Sequence, residues 1–458
     1  MKRRNFIQQG ALAALFSAGT IPDAIAKQAG RAKNIIFIVS DGMSMGTLQM
    51  TDLQIRQSEG KPSEWIGWYQ DSTVKRALME TYSASSFVTD SAAASSAWGG
   101  GVRVPNGSLN TGAKGEKFVP ILQKCQKVGK SVGCVTTVQV THATPAGFCI
   151  NSASRGGMEE IAEMYLPLRF DVMMGGGLDI FQAEHRKDKK DLLAEFTQQG
   201  YEVVTHKSRL NGFKGGKPLL GVFHSDGLPY SVDQAQSKEL QEKVPTLAEM
   251  TQKALEVLKL NPKGFVLQIE SGKVDWAAHA NDIAALLGEQ RALDEAIGVV
   301  KKFIQTHPDT LVILTTDHGN ANPGLFSNVE NRKFDRIRQF KHTNDWILQG
   351  LSLNSSIQQV IERIEYAQGW VATQEQAWSL LENYIHRDEK GLYNPRKLPF
   401  DRLATMQRKH TGVGWGSMDH SADYVELAMW GPGSEGLPSF VQNTDLHHLM
   451  LMALGIKA

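Results

Sequence analysis

Continuous apolar runs recur along this chain at Asn34–Ser40, Ser131–Val138, Phe265–Glu270, Thr310–Thr316 and Tyr424–Trp430. A weaker one, Phe170–Met174, ends in Gly175-Gly176-Gly177. Strands that are apolar on both faces, instead of alternating, read as the buried strands of a parallel sheet. Between them lie stretches with helical spacing, Thr246–Leu260 and Ile283–Thr306, the latter apolar at Leu286, Leu287, Ala292, Ile297 and Val300. Strands alternating with helices predict an α/β fold: a mostly parallel central sheet with helices on both faces. The rhythm breaks between about residues 322 and 408, where the chain turns polar and aromatic with helical segments at Ser355–Tyr366 and Thr373–Tyr384. That region is expected to be a helical insertion, a cap or crown over the site, within one catalytic domain spanning 27–458. The turn-rich segment Lys207–Asp233 is expected to be a surface excursion.

Three of the strands stop at metal-type donors. Asn34–Ser40 runs into Asp41-Gly42, Thr310–Thr316 into Asp317-His318-Gly319, and Phe265–Ile269 into Glu270. Five residues past Glu270 comes Asp275, then His279. Four residues apart on a helix, Asp275 and His279 share a face and can grip one cation. A single aspartate at a strand end more often opens a turn or caps a helix. Three such ends converge on the carboxyl edge of the sheet, where open α/β sheets bind their ligands, and that favours a shared metal site.

Two further stretches carry chemistry. In Val88-Thr89-Asp90-Ser91-Ala92-Ala93-Ala94-Ser95-Ser96-Ala97-Trp98-Gly99, a polar pair opens a run of small residues. That pattern sets Ser91 in the first turn of a helix, whose free N–H groups and dipole favour an anion. The plainer reading is that Asp90 or Ser91 only caps the helix. After the Ser131–Val138 strand comes His142-Ala143-Thr144-Pro145, with Arg155 eleven residues past Thr144. Thr144 precedes proline and is expected to be extended, its hydroxyl turned outward. Arg155 offers a planar fork suited to phosphate, although an arginine before Gly-Gly is ordinarily a solvated residue.

Composition adds limits more than direction. The 458 residues are 41% hydrophobic and 21% charged, an ordinary globular mix. Forty-nine Lys and Arg balance 48 Asp and Glu, so no global field favours nucleic acid or an anionic membrane. The first 26 residues read as an export signal: Lys2-Arg3-Arg4 is followed by the apolar Gly10–Ile21 and the small-x-small Ala24-Ile25-Ala26. Arg3-Arg4 before Asn5-Phe6-Ile7 resembles a twin-arginine signal. No later stretch is long and apolar enough for a transmembrane helix. Cys125, Cys134 and Cys149 lack metal-type spacing, and an odd count in an exported chain is no disulfide scaffold.

Together, Ser40-Asp41-Gly42, Thr89-Asp90-Ser91-Ala92, Ala143-Thr144-Pro145 with Arg155, Glu270 through Asp275 to His279, and Thr316-Asp317-His318 resemble the alkaline phosphatase family. The likeness covers about Lys33 to Gly177, Thr246 to His318 and His420 to Gly433. It implies an exported bacterial enzyme, periplasmic or secreted, that hydrolyses small phosphate monoesters through a phosphoserine on Ser91, with Arg155 as the phosphate clamp. It further implies two Zn2+ and one Mg2+ per chain and a homodimer. Asp275, His279 and His420 would hold the first zinc, Asp41, Asp317 and His318 the second, and Asp41, Thr144 and Glu270 the magnesium. His420 is preferred to His410 because it lies eleven residues before Gly431, the family's spacing. His142 stands where some members carry Asp near the magnesium, and Trp276 where others carry Lys or His near the phosphate. A phosphodiesterase or sulfatase on the same metal core, or a non-catalytic phosphate- or metal-binding protein, are the alternatives.

Overall fold

The computed structural model describes residues 32–327, 330–385 and 398–457; the expected export segment, residues 1–26, lies outside them. The strands are β1 (Asn34–Ser40), β2 (Lys75–Met79), β3 (Ser131–Gln139), β4 (Val172–Gly176), β5 (Glu202–Val204), β6 (Leu219–Val222), β7 (Phe265–Ser271), β8 (Thr310–Thr315), β9 (Gly319–Asn320), β10 (Gly324–Leu325), β11 (Val413–Gly414), β12 (His420–Ser421), β13 (Val425–Trp430) and β14 (Phe440–Val441). Ten of them form one sheet in the order β14-β2-β13-β8-β1-β7-β3-β4-β6-β5. From β8 to β5 every neighbouring pair is parallel, and β13 runs antiparallel to both β8 and β2. The fold class expected from the apolar runs is therefore the one observed.

The helices around the site are α1 (Met45–Glu59), α2 (Ser91–Gly100), α3 (Ala143–Cys149), α4 (Leu247–Leu258), α5 (Lys273–His279), α6 (Ile283–Thr306), α7 (Asn344–Gln349), α8 (Ile357–Gln368), α9 (Gln374–Ile385), α10 (Phe400–Thr411) and α11 (Asp445–Ala453). Alternate residues of β1 feed two separate cores. Ile36 and Ile38 pack with Leu286, Leu293 and Ile297 of α6 on one face, while Ile35, Phe37 and Val39 face Trp98 and Phe148 on the other. The Phe37 ring sits 5.0 Å from Trp98 and 5.1 Å from Phe148, tying α2 and α3 to the central strand. Burying both faces of a strand explains why its sequence is a run and not an alternation.

Two local expectations fail. Lys207–Asp233 is no surface excursion, because it contains β6, fully buried between β4 and β5. The apolar run there is only Leu219-Leu220-Gly221-Val222-Phe223, interrupted by a glycine, and so short a run carries little signal. Thr144 is not extended but lies inside α3, one residue before Pro145. Proline is tolerated in a helix's first turn, where its missing N–H has no intrahelical partner to lose.

Between β10 and β11 the described chain is helical, including α7, α8, α9 and α10. β10 pairs antiparallel with β11, Leu325 opposite Val413, which brings the two ends of this stretch together.

Candidate active site

The site is assembled where the parallel strands end. Asp41 follows β1, Glu270 lies in the last turn of the β7 ladder opposite Val39, and Asp317-His318 follow β8, so adjacent strands deliver them side by side. β3 leads through Thr141 to His142 and Thr144. Gly42 has φ +65 and faces Asp275, where a Cβ would come within 3.0 Å of that residue's backbone. Its N–H donates to Asp317 Oδ1 at 2.9 Å. His420 is placed by the short β9–β12 pairing, directly across from Asn320.

Three donor groups converge. In the first, Asp275 Oδ2 lies 3.5 Å from His279 Nε2, Asp275 Oδ1 lies 3.4 Å from His420 Nε2, and the two imidazole Nε2 atoms face each other at 3.0 Å. In the second, His318 Nε2 lies 3.1 Å from Asp317 Oδ2 and 3.7 Å from Asp41 Oδ1. In the third, Thr144 Oγ1 donates to Asp41 Oδ2 at 3.3 Å, and His142 Nδ1 lies 4.0 Å from Glu270 Oε1. His410 is elsewhere, its ring stacked on Trp370 at 4.6 Å.

The histidines are oriented by what their other nitrogens do. Nδ1 of His279 is 2.6 Å from the Met418 carbonyl, Nδ1 of His420 is 2.9 Å from the Thr89 carbonyl, and Nδ1 of His318 is 3.3 Å from the Gly319 carbonyl. A carbonyl only accepts, so each Nδ1 carries the hydrogen and each Nε2 is turned inward as a metal donor would be. Asp41 Oδ1, Glu270 Oε1 and Asp317 Oδ2 are buried without a hydrogen-bond partner among the described residues. Buried, unpartnered carboxylate oxygens are costly unless a cation compensates them. The donor set therefore fits metal ions: imidazole with carboxylate in the first two groups suits zinc.

Electrostatics points the same way. Burial, then the charges of Asp317, Asp275 and Glu270, raises Asp41 well above the usual carboxylate range. Burial likewise pushes Glu270 up to about 7. Burial opposes ionisation of Asp275 too, yet His279, His420 and His318 hold it below the ordinary value. Burial disfavours the charged form of His420, but Asp275 outweighs it and pushes the imidazole up to about 9.

Ser91 is the first residue of α2, and its Oγ lies 3.5 Å from His318 Nε2. Asp90 does cap that helix, accepting from the Ala93 N–H at 2.9 Å, but its Oδ2 also takes Arg155 Nη1 at 3.1 Å and the Gly107 N–H at 3.0 Å. Arg155 Nη2 lies 3.1 Å from His142 Nε2. An arginine only donates, so that Nε2 accepts, and burial followed by the Arg155 charge keeps the imidazole neutral, down to about 3. Trp276 stands edge-on to His142, ring centres 6.2 Å apart. Ser91, His142, Arg155, Asp275, Trp276, His279 and His420 thus line one recess, and the buried Asp41, Thr144, Glu270, Asp317 and His318 join them through the contacts above.

Three supporting residues escaped the sequence reading. Asn320 Nδ2 donates to Asp275 Oδ1 at 2.7 Å, and its own N–H is held by Ser44 Oγ at 3.0 Å. Thr136 donates to Glu270 Oε2. The clamping half of Asp90 is the third. For Asn320 the one available signal was a polar residue two places after Asp317-His318; for Thr136 there was none.

Comparison with known proteins agrees with this geometry. The sequence profile described as "Alkaline phosphatase" matches residues 32–456. Alkaline phosphatase 4 of Bacillus subtilis is 28% identical over 429 residues, 92% of this chain and 88% of that protein. The Escherichia coli K12 alkaline phosphatase is 26% identical over 471 residues, 93% and 87% of the two chains. The crystal structure of Thermus thermophilus alkaline phosphatase superposes with a TM-score of 0.87 at 31% identity, covering 97% of this chain and 96% of that one. With the strand-end donors, the serine at a helix start and the match running across nearly the whole described chain, this protein belongs to the alkaline phosphatase family of metal-dependent phosphomonoesterases.

Proposed function

We propose that Ser91 is the nucleophile, phosphorylated in turnover, and that Arg155 clamps the phosphoryl group. The observation that carries this reading is Ser91 Oγ at the start of α2, 3.5 Å from His318 Nε2 in one donor group, with Arg155 fixed across the same recess by Asp90. Asp275, His279 and His420 would hold one zinc, Asp41, Asp317 and His318 a second, and Asp41, Thr144 and Glu270 a magnesium. When bound, such ions lower the pKa of a coordinated hydroxyl or water and neutralise charge on incoming and departing oxygens. The chain's own groups supply the rest. The free N–H groups of the first turn of α2 and the Arg155 fork face the nonbridging oxygens, whose charge rises in a loose phosphoryl-transfer transition state. Asp90 and His142 keep the guanidinium in one orientation before substrate arrives, so little is lost in ordering it.

Magnesium at the third site is supported by a tautomer. Because Arg155 donates to Nε2 of His142, the hydrogen of that neutral ring sits on Nδ1, the atom facing Glu270. The remaining donors of Asp41, Thr144 and Glu270 are all oxygen, the preference of a hard cation.

Replacing Ser91 by Ala should abolish the acid-stable phosphoenzyme formed with a labelled monoester, while two zinc and one magnesium per chain remain by elemental analysis. A phosphoenzyme on the variant would reassign the nucleophile. Export by the twin-arginine route and assembly as a homodimer belong to the same reading. The first rests on Arg3-Arg4 ahead of the apolar Gly10–Ile21, the second on the family resemblance. No helix of the described residues is long and apolar enough to cross a membrane.

A further inference from the structure

Two stretches near Trp276 take no part in the proposed chemistry: the Gly175-Gly176-Gly177 run at the end of β4, and the loop of residues 224–230 after β6. They pack backbone to backbone. The N–H groups of Gly177 and Leu178 donate to the His224 carbonyl at 3.0 and 2.8 Å, and Gly177 also to the Asp226 carbonyl at 2.8 Å. A Cβ on Gly176 would overlap that second carbonyl and come within 2.9 Å of the Gly227 Cα. The loop is tied to β3 as well, since Leu228 N–H donates to the Thr137 carbonyl at 2.8 Å and the Gln139 amide donates to Asp226 Oδ1. Lys273 of α5 closes the remaining side. Its Nζ donates to the Leu228 carbonyl at 2.6 Å and lies 3.4 Å over the Tyr230 ring. Pinned along its length, the loop is a rigid wall.

Against this wall stands the benzo edge of the Trp276 indole. A Cβ on Gly227 would come 2.9 Å from Cζ3 and 3.1 Å from Cη2 of that ring. Its next neighbour, the Thr137 carbonyl oxygen, would be at 3.4 Å, an ordinary contact. Carbon–carbon contacts relax at about 3.5–4.0 Å, so the indole lies where it does only because position 227 has no side chain. Backbone conformation is not the reason for this glycine, because its φ is not positive. The indole also lines the recess with Ser91 and Arg155 and stands edge-on to His142, ring centres 6.2 Å apart. His142 Nε2 in turn accepts from Arg155 Nη2 at 3.1 Å. One packed row therefore runs from Gly176 through Gly227 and Trp276 to His142 and the guanidinium.

We infer that Gly227 is a positioning residue for phosphate binding: its loop is the stop that fixes how far the Trp276 indole reaches into the recess beside His142 and Arg155. The inference rests on the reading of Arg155 as the phosphate clamp. The wall is pinned by hydrogen bonds on three sides, whereas the recess is open, so the indole is the part that yields when the contact is overfilled. A side chain at position 227 drives it towards His142 and the guanidinium. Gly227 itself touches neither the donor groups nor the place of the phosphoryl group. Its effect therefore falls on phosphate affinity, through the ring that stands between.

The test measures the Kd for inorganic phosphate by calorimetry, with kcat and KM for methyl phosphate, on the zinc- and magnesium-loaded enzyme. The wild type is compared with Gly227→Ala, Trp276→Phe and the double variant. A phenyl ring is shorter and withdraws the edge that meets Gly227. In Gly227→Ala the Kd should rise about tenfold, and KM with it and more than kcat, inside the about 10²-fold that a displacement of about 1 Å can cost. In the Trp276→Phe background the same change should move Kd by less than about twofold, the non-additivity expected of residues in contact. An equal rise in both backgrounds overturns the positioning role, as does a Kd that falls or stays within about twofold in Gly227→Ala alone. Loss of zinc from Gly227→Ala by elemental analysis overturns it too, because the effect would then lie on Asp275. If Gly227→Ala does not fold, the double variant decides: folding recovered by circular dichroism supports the contact, and failure of both overturns it. A wild type that neither binds phosphate nor hydrolyses methyl phosphate refutes the phosphatase reading itself.

Discussion

Gly99→Ala should destabilise this protein and slow it, although the substitution lies inside a helix where alanine is the better residue. Helices α2 and α3 cross backbone to backbone, and Gly99 and Gly147 are the points of contact. A Cβ on Gly99 would lie 2.8 Å from the carbonyl carbon of Gly147 and closer still to its oxygen, which already accepts from Asn110 Nδ2 at 2.7 Å. Carbon–carbon contacts relax at about 3.5–4.0 Å, so the two helices must part by roughly 1 Å. Helix propensity returns about 1 kcal/mol in favour of alanine. Overpacking against a backbone that cannot rotate away costs about 3 kcal/mol, leaving a net loss of about 2 kcal/mol. The movement also separates Ser91, at the start of α2, from Thr144 and His142, at the start of α3. A misplacement of about 1 Å at a reacting centre costs up to about 10²-fold in rate. Urea unfolding and kcat/KM for methyl phosphate, measured on the metal-loaded enzyme, read the two effects. Gly298→Ala in α6 is the matched control, because its nearest neighbour, Glu64 Cγ, is at 3.7 Å, an ordinary contact. That variant should gain about 0.5–1 kcal/mol and keep its rate. A Gly99→Ala protein as stable as the control with kcat/KM within twofold of wild type would refute the close-packing account of α2 and α3.

Asn320→Ala removes the amide that steadies Asp275, and second-layer losses of this kind weaken metal binding about 10- to 100-fold. Zinc competition against a chelator should show that loss, with activity recovered in excess zinc; unchanged competition would mean that Gly42 and the helix alone fix Asp275. His447 of α11 supplies a pH dependence remote from the metal donors. It is buried, its Nδ1 meets the Trp98 carbonyl at 2.9 Å, and its Nε2 is 2.8 Å from Lys124 Nζ. Burial first and the Lys124 charge second push it down to about 4 from 6.5. Above pH 6.5 the ring is neutral in both states and costs nothing; as pH falls from 6.5 towards 4, the unfolded chain takes a proton that the folded one refuses, and stability is lost. At pH 5 that loss is about 2 kcal/mol, so the stability difference between pH 8 and pH 5 in urea unfolding should shrink by about that amount in His447→Gln. An identical pH profile in wild type and variant would place the proton elsewhere.

The candidate metal donors were legible because such chemistry restricts them to a few residue types and the fold restricts them to strand ends. Asp41, Glu270, Asp317 and His318 each close an apolar run, and the β1–β7 and β1–β8 registers bring those ends together without further information. The pair Asp275 and His279 needed only helical periodicity. His420 was reached by spacing, but what holds it is the register of β12 on β9, a pairing of two residues that no local pattern announces. β6 failed for the same reason at the level of the fold: a short apolar run becomes a buried strand only because β4 and β5 flank it. Thr144 failed in the opposite way, since the rule that a residue before proline is extended was outvoted by a helix start packed against α2. Asn320, Thr136 and the clamping oxygen of Asp90 were beyond reach altogether. Their partners lie 45, 134 and 65 residues away, and asparagine, threonine and aspartate are also the ordinary residues of turns and caps. A donor to a metal is identified by what it is, whereas a residue that holds the donor still is identified only by where the sheet puts it.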